Sequence, residues 1–307
     1  MPSYSSEVSA IRLRPIRVWL SHLQSIQLAI WTLILALFLL GYPRQMFAAS
    51  LQAFQLWWQV LFPLFLPYFI VTGIVPLYKL GIFSTWFTAS TVIAEPITQA
   101  RRLGLLTRQQ AEHKLAFAHA TPLITIWILT LAVWHQPQYL FSLVASQVCA
   151  QLVMLFSLHK TALTRLPITL TSTQSLGQLL SESVRKAVQH LFQLAGWMMV
   201  AAIAWMFADL SGAWTVLPDA IPSFFLLSLL DLPLGVAMLA QSAIPPAHVP
   251  ITVSLCSAAI GWGSLTGLLR VQAYLHGTDI RFTRLVVAKL IHAALSFIIC
   301  LAINHYI

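Results

Sequence analysis

Charge is what this sequence has least of. Only 8% of its 307 residues are Asp, Glu, Lys or Arg, where soluble domains carry about 25%, and that shortage excludes a water-soluble globular fold. Acid is scarcer still, with eight carboxylates against 17 Lys and Arg. Cysteine is limited to Cys149, Cys256 and Cys300, each isolated in an apolar stretch. Without a CxxC pair, structural zinc and thioredoxin-like redox chemistry find no support. The ten histidines show no HExxH or HxxxH spacing, and no Walker loop, GxSxG elbow or paired-carboxylate motif is present. Neither an enzyme nor a metal or organic cofactor is expected.

What the chain does have is apolar residues, 59% of the total, with a mean hydropathy of +0.81. Runs of about 20 residues, the length needed to cross the hydrocarbon core, recur from end to end. The fold class expected is all-α, a polytopic integral membrane protein forming a single transmembrane domain over 1–307. A net charge of +9 would suggest nucleic acid in a soluble domain. Here the cations cluster in short loops, where they fix topology, so the bilayer is the partner and nucleic acid is not.

Counting crossings from a cytoplasmic N-terminus gives a first helix at about 24–42 within an N-terminal unit 1–45. It is expected to remain attached, although "MFAAS" at 46–50 offers small residues for signal-peptide cleavage. A segment at about 55–78 returns, interrupted by Pro63 and Pro67. The stretch at about 81–100 is apolar but holds Glu95-Pro96 and ends at Arg101 and Arg102, so it reads as a re-entrant hairpin broken at that pair. Thr107 followed by Gln110 is a capping-box pattern opening a helix that runs to about Trp134 with a break at Thr121-Pro122. A helix at about 138–158 completes a first repeat, 50–158. The polar stretch 159–185 reads as a cytoplasmic linker to a second repeat, 186–307. In that repeat a helix at about 187–208 leads to a hairpin over 218–250 broken at Asp231 and Pro233. A helix at about 251–275, interrupted at Gly261–Gly263, and a last helix at about 285–303 follow.

This arrangement puts every Lys and Arg except Arg44 at the cytoplasmic face, and it contains a symmetry. Broken helix, hairpin and broken helix recur in the two halves with opposite sidedness, and "WQVLFPLF" at 58–65 is weakly similar to "VQHLFQLA" at 188–195. An inverted repeat with two re-entrant helical hairpins and discontinuous helices is the architecture of secondary transporters.

Of the carboxylates, only Glu95 and Asp231 fall inside apolar hairpins, each with a proline close behind. A charge at the bilayer centre costs about 2.5–3.5 kcal/mol on insertion scales and is tolerated facing protein or a water-filled cavity. The substrate-binding candidates are therefore Asp231, Glu95, Ser90, Thr91, Thr121, Ser228, Gly261, Gly263 and Ser264, with Thr266 adding a hydroxyl. Opened backbone and half-helix N-termini at these breaks would attract an anionic solute. For Glu95 an alternative stays open, a solvated ion pair with Arg101 or Arg102. His119 stands beside the Thr121-Pro122 break.

Four stretches resemble a known family. They are "LWWQVLFPLFLPYFIV" (56–71), "GLLTRQQAEHKLAF" (104–117), "LLDLPLG" (229–235) and "GWGSLTGLLRVQAYLHGTDIRFTRLVVAKLIHA" (261–293). Together they are similar to the YlbJ-type sporulation integral membrane proteins, relatives of the nucleoside-transporter Gate domains. The Thr278–Arg281 block is the most specific. The resemblance implies a fold similar to concentrative nucleoside transporters and export of dipicolinate, a small aromatic dianion, across the mother-cell-derived outer forespore membrane. The coupling ion is left open between H+ and Na+, and the partners left open are further copies of the chain or sporulation membrane proteins. The other functions kept open are a non-transporting scaffold for spore-cortex assembly and a carrier of a nucleoside-like solute. Asp231 stands where the family has a glutamate, whereas Glu95 has no counterpart there.

Overall fold

The computed structural model describes residues 29–30, 33, 36–37, 40–74, 90–118, 121–157, 175–213, 222–242 and 244–306. Two compact units are present, Met1–Ala49 and Ser50–Ile307. In the first, every described residue from 29 onward is helical except Tyr42.

Among the described residues there is no strand. The helices are α1 (Pro43–Leu56), α2 (Phe62–Ile74), α3 (Ser90–Arg102), α4 (Arg108–Phe117), α5 (Leu123–Ile128), α6 (Leu140–Ser157), α7 (Leu176–Leu210), α8 (Ser223–Leu230), α9 (Leu232–Ala240), α10 (Val249–Trp262), α11 (Leu265–Leu275) and α12 (Phe282–Tyr306). Five helical stretches are long and apolar enough to cross a bilayer: Pro43–Ile74, Pro137–Leu155, Leu176–Leu210, Pro246–Leu275, which is interrupted at Gly263–Ser264, and Phe282–His305. The chain is an all-α membrane protein.

Several boundaries differ from those the sequence suggests, each for a local reason. Arg44, expected in a loop, lies in the first turn of α1, because Pro43 ahead of it starts a helix readily. Pro63 and Pro67 do not interrupt the return segment. A π turn over Trp57–Leu61 precedes α2, and Phe62 donates its N–H to the Trp57 carbonyl. The wider turn brings the chain to Pro63 with helical geometry intact, and Pro67 is carried inside α2. The polar linker ends sooner than expected. Ser175 accepts the Gln178 N–H while the Gln178 side chain accepts the Ser175 N–H, a reciprocal cap that starts α7 there. With 35 residues, α7 spans about 52 Å at 1.5 Å per residue, so its charged first turns extend beyond a hydrocarbon core of about 30 Å.

The centre of the second unit is α10. In its stretch, Pro246–Leu275, 72% of the most apolar window is buried, against 17–39% in the other four. Lipid tails give helices no hydrophobic reason to associate, so small residues and hydrogen bonds do that work. Ser257 of α10 accepts from Gln147 of α6 at 3.0 Å, shares a hydrogen bond with Ser146 at 2.7 Å and donates to the Ser296 carbonyl of α12 at 3.3 Å. Gly261 brings α10 so close to α12 that a Cβ there would lie 2.7 Å from Ser296 Oγ and 3.1 Å from Ala293 Cα. Lys289 of α12 is buried and donates to the Ala118 carbonyl at the end of α4.

At one end of this bundle the charges are paired. Arg101 of α3 makes a two-pronged contact with Asp279, Nε to Oδ1 at 2.9 Å and Nη2 to Oδ2 at 2.8 Å. Arg102 donates to the His276 carbonyl at 2.8 Å. Glu112 of α4, 1% exposed in its side chain, accepts from Arg108 Nε at 2.8 Å, from the Arg281 N–H at 3.0 Å and from Arg284 Nη1 at 2.5 Å. The Thr278–Arg281 block is thus tied to α3 and α4.

Candidate functional site

Three chain breaks meet beside α10. The first, at Asp231, separates two short helices. Asp231 has extended backbone (φ −146°, ψ 112°) and ends α8 by donating its N–H to the Leu227 carbonyl at 2.7 Å. It also begins α9, its Oδ1 accepting the Leu234 N–H at 3.4 Å. The turn is tight because Gly235 lies against Ser228, where a Cβ would sit 1.9 Å from Oγ and 2.4 Å from the backbone nitrogen.

The second break follows α10. Gly263 (φ 78°) closes that helix in the left-handed conformation that glycine adopts freely. Ser264, also at positive φ (69°), caps α11 by accepting the Gly267 N–H at 3.2 Å. The third break lies between α4 and α5 at Thr121-Pro122. Thr121 donates its hydroxyl to the Ile260 carbonyl at 3.1 Å, occupying an acceptor near the end of α10. Thr266 joins the first two breaks by donating to Asp231 Oδ2 at 3.0 Å.

Together the breaks enclose a cavity of about 80 Å³. Of the residues singled out in the sequence, Thr91, Thr121, Asp231, Gly263, Ser264 and Thr266 line it. Ser228 and Gly261 do not. The Ser228 hydroxyl donates to the Phe224 carbonyl of its own helix, and Gly261 faces α12. Ser90 opens α3, but its side chain lies outside the described residues, as do His119 and residues 158–174. The small cavity holds less space than the roughly 150 Å³ that accepts a benzene-sized molecule. It suits a few waters.

Glu95 is placed elsewhere, which corrects the expected hairpin tip. Helix α3 runs without a break through Glu95 and Pro96. Ala94, Ile97, Thr98 and Ala100 are buried while Glu95 and Gln99 are exposed. The stretch is thus one amphipathic helix whose carboxylate lies on the polar stripe. Arg101 and Arg102 engage Asp279 and the His276 carbonyl, so neither forms the ion pair considered for Glu95.

Glu95 instead lines a second, larger cavity of about 510 Å³ with Arg185, Lys186, Trp197, Tyr274, His190 and Arg270. That volume falls within the 300–1,000 Å³ of small-molecule sites. Cations outnumber carboxylates on its wall, and Trp197 and Tyr274 offer aromatic faces. His190 and Arg270 line both cavities, forming the partition between Glu95 and Asp231. The buried Nε of Arg270 has no hydrogen-bond partner. Among the described residues no group of three His, Cys, Asp or Glu is placed to hold a metal.

Arg270 is the residue that sequence reasoning passed over, taken for a topological charge at a helix end. It lies inside α11, four residues after Thr266, so both project from one helix face, and that spacing was the available signal. The half-helix N-termini also differ from expectation. Those of α9 and α11 already carry side-chain caps, and Asp231 itself supplies the anion at the first. No family model, no curated protein and no solved structure matches the chain.

Proposed function

We propose that this protein is a secondary transporter of a small organic anion. The anion docks in the larger cavity, with its carboxylate on Arg270 and its body between Trp197 and Tyr274. The observation that carries this reading is the position of Arg270, a guanidinium with an unpartnered Nε in the wall between a ligand-sized cavity and a water-sized one that holds a buried carboxylate.

The chemistry is direct. A guanidinium recognises a carboxylate through parallel N–H···O bonds, and hydrogen bonds to charged groups contribute about 1.5–3 kcal/mol each. Asp231 on the far side of Arg270 is the competing carboxylate. Loading the larger cavity draws the guanidinium outward, and emptying it returns the guanidinium toward Asp231. Discontinuous helices around such a site are the setting in which alternating access operates. The resemblance to YlbJ-type sporulation proteins makes dipicolinate the first solute to test and the mother-cell-derived forespore membrane its setting. H+ and Na+ are the coupling ions to vary.

The experiment is uptake of radiolabelled dipicolinate and benzoate by proteoliposomes. Wild-type protein should concentrate an aromatic carboxylate, Arg270→Gln should lower the initial rate at least tenfold, and Arg270→Lys should retain part of it. Each variant must elute as wild type does from a sizing column. Unchanged flux in Arg270→Gln and in both Asp231→Asn and Asp231→Leu would refute the proposal.

A further inference from the structure

Away from both cavities, at the end of the bundle where α4 and α12 begin, an open basic pocket of about 360 Å³ is lined by Arg108, Gln109, Glu112, Arg281 and Arg284. Its one acid is already saturated. Glu112 is fully occupied by Arg108, the Arg281 N–H and Arg284, and its side chain is shut off from solvent. Those bonds use Nε of Arg108 and Nη1 of Arg284, leaving donors on both guanidiniums. The exposed Arg281 makes no ion pair among the described residues. Three guanidiniums against one internally paired carboxylate leave a local excess of positive charge.

The pocket does not end at the arginines. Glu112 and Arg284 are also the rim of an apolar groove of about 490 Å³ that continues down α12 past Val287, Ala288, Ile291 and Leu295, with Ala116 and Met154 opposite. From Arg284 to Leu295 the groove follows about 16 Å of helix at 1.5 Å per residue. That is close to the depth of one leaflet, half of a hydrocarbon core of about 30 Å. A cationic pocket at the rim with a leaflet-deep apolar groove below it matches one molecule, a phospholipid with a negatively charged headgroup. Basic pockets between transmembrane helices hold such headgroups, whereas a soluble anion has no use for the groove.

We propose that this face is a binding site for a single anionic phospholipid. Its phosphate sits among Arg281, Arg284 and Arg108, and one acyl chain lies in the groove against Ala288 and Ile291. The occupied site bridges α4 and α12.

Native mass spectrometry of the purified full chain, titrated with phosphatidylglycerol or phosphatidylcholine, tests this. Wild type should retain one phosphatidylglycerol in preference to phosphatidylcholine. Arg281→Gln, which leaves the Glu112 contacts in place, should weaken phosphatidylglycerol binding about fivefold. Ile291→Asn should weaken it through the groove, while Leu290→Asn, outside the groove lining, should not. Equal retention of the two lipids would overturn the proposal, as would loss of binding in Leu290→Asn equal to that in Ile291→Asn. If inorganic phosphate displaces the bound species and Ile291→Asn has no effect, the pocket takes a free anion and the lipid assignment fails.

Discussion

Removing the Glu112 carboxylate should cost far more than removing that of Asp279, although each is held by arginine. Glu112 is 1% exposed in its side chain and accepts three donors. Asp279 is 46% exposed and faces an Arg101 that is itself 29% exposed. Exposed pairs contribute about 0–1 kcal/mol, so Asp279→Ala should sit at that level. Breaking a buried pair by deleting one partner costs about 3–5 kcal/mol. For Glu112 the figure must be discounted, because Arg108 and Arg284 are 34% and 52% exposed and can turn to water. A loss of about 2–3 kcal/mol follows for Glu112→Ala, with Glu112→Gln losing about half as much by keeping an acceptor for the Arg281 N–H. Chemical unfolding in mild detergent, followed by tryptophan fluorescence, measures both. A cycle with Arg284→Gln should show coupling, since the two side chains touch. If Glu112→Ala proves no more destabilising than Asp279→Ala, or if the cycle is additive, the reasoning that Glu112 ties α4 to Arg281 and Arg284 is refuted. The same carboxylate predicts a pH dependence. Burial raises the Glu112 carboxyl, but the Arg108 hydrogen bond, the Arg281 amide and the nearby Arg284 charge outweigh it and hold the group below its ordinary 4.5. A depressed acid stabilises the fold fully above its ordinary value and loses that contribution as pH falls through the lower folded value. The stability gap between wild type and Glu112→Gln should therefore be constant above about pH 5 and close below it.

Two further substitutions test the local geometry. Gly235→Ala should abolish the tight α8–α9 turn, because the new methyl would meet the Ser228 backbone as well as its hydroxyl; Ser228→Gly should fail to rescue it, and recovery of wild-type melting in the double variant would contradict the packing described. Thr107→Ala, which removes the cap accepting the Gln110 N–H at 3.2 Å, should cost about 1 kcal/mol in the same unfolding assay, and no measurable change would mean the cap contributes nothing.

Features of the site set by adjacent residues were legible in the sequence, and those set by distant ones were not. The Thr107–Gln110 cap, the break at Asp231 and the break at Gly263 are each decided by two to four neighbouring residues, and the structure has them where the pattern put them. Pro96 misled because a proline weighs heavily as a helix breaker. The competing signal was present in the alternation of Ala94, Ile97 and Thr98 with Glu95 and Gln99, and the helix followed the alternation. Glu112 was not singled out among the carboxylates, because it falls outside the apolar hairpins and its partners Arg281 and Arg284 lie 169 and 172 residues away. Arg108 is a local i,i+4 partner such as any surface glutamate can have, and nothing within a window of local sequence shows that Arg281 and Arg284 will complete the enclosure. Arg270 was hidden differently: its cationic charge had a sufficient explanation in topology, and its face on α11 went unused.

The hydroxyl bonds around α10 have a consequence for biosynthesis. Segments of a membrane protein enter the bilayer in the order they are made, and α10 is made well before α12. Until α12 arrives, Ser257 lacks the Ser296 carbonyl it will contact and the flat Gly261 face has nothing against it. Ser254 can wait, since its hydroxyl bonds the Pro250 carbonyl within its own helix. Ser257 is meanwhile held by Gln147 and Ser146 of α6, which is made earlier, so only the α12-facing contacts wait, and a chain interrupted between Leu275 and Phe282 would leave that face uncovered. Docking of α12 is therefore the step that completes the packing of α10.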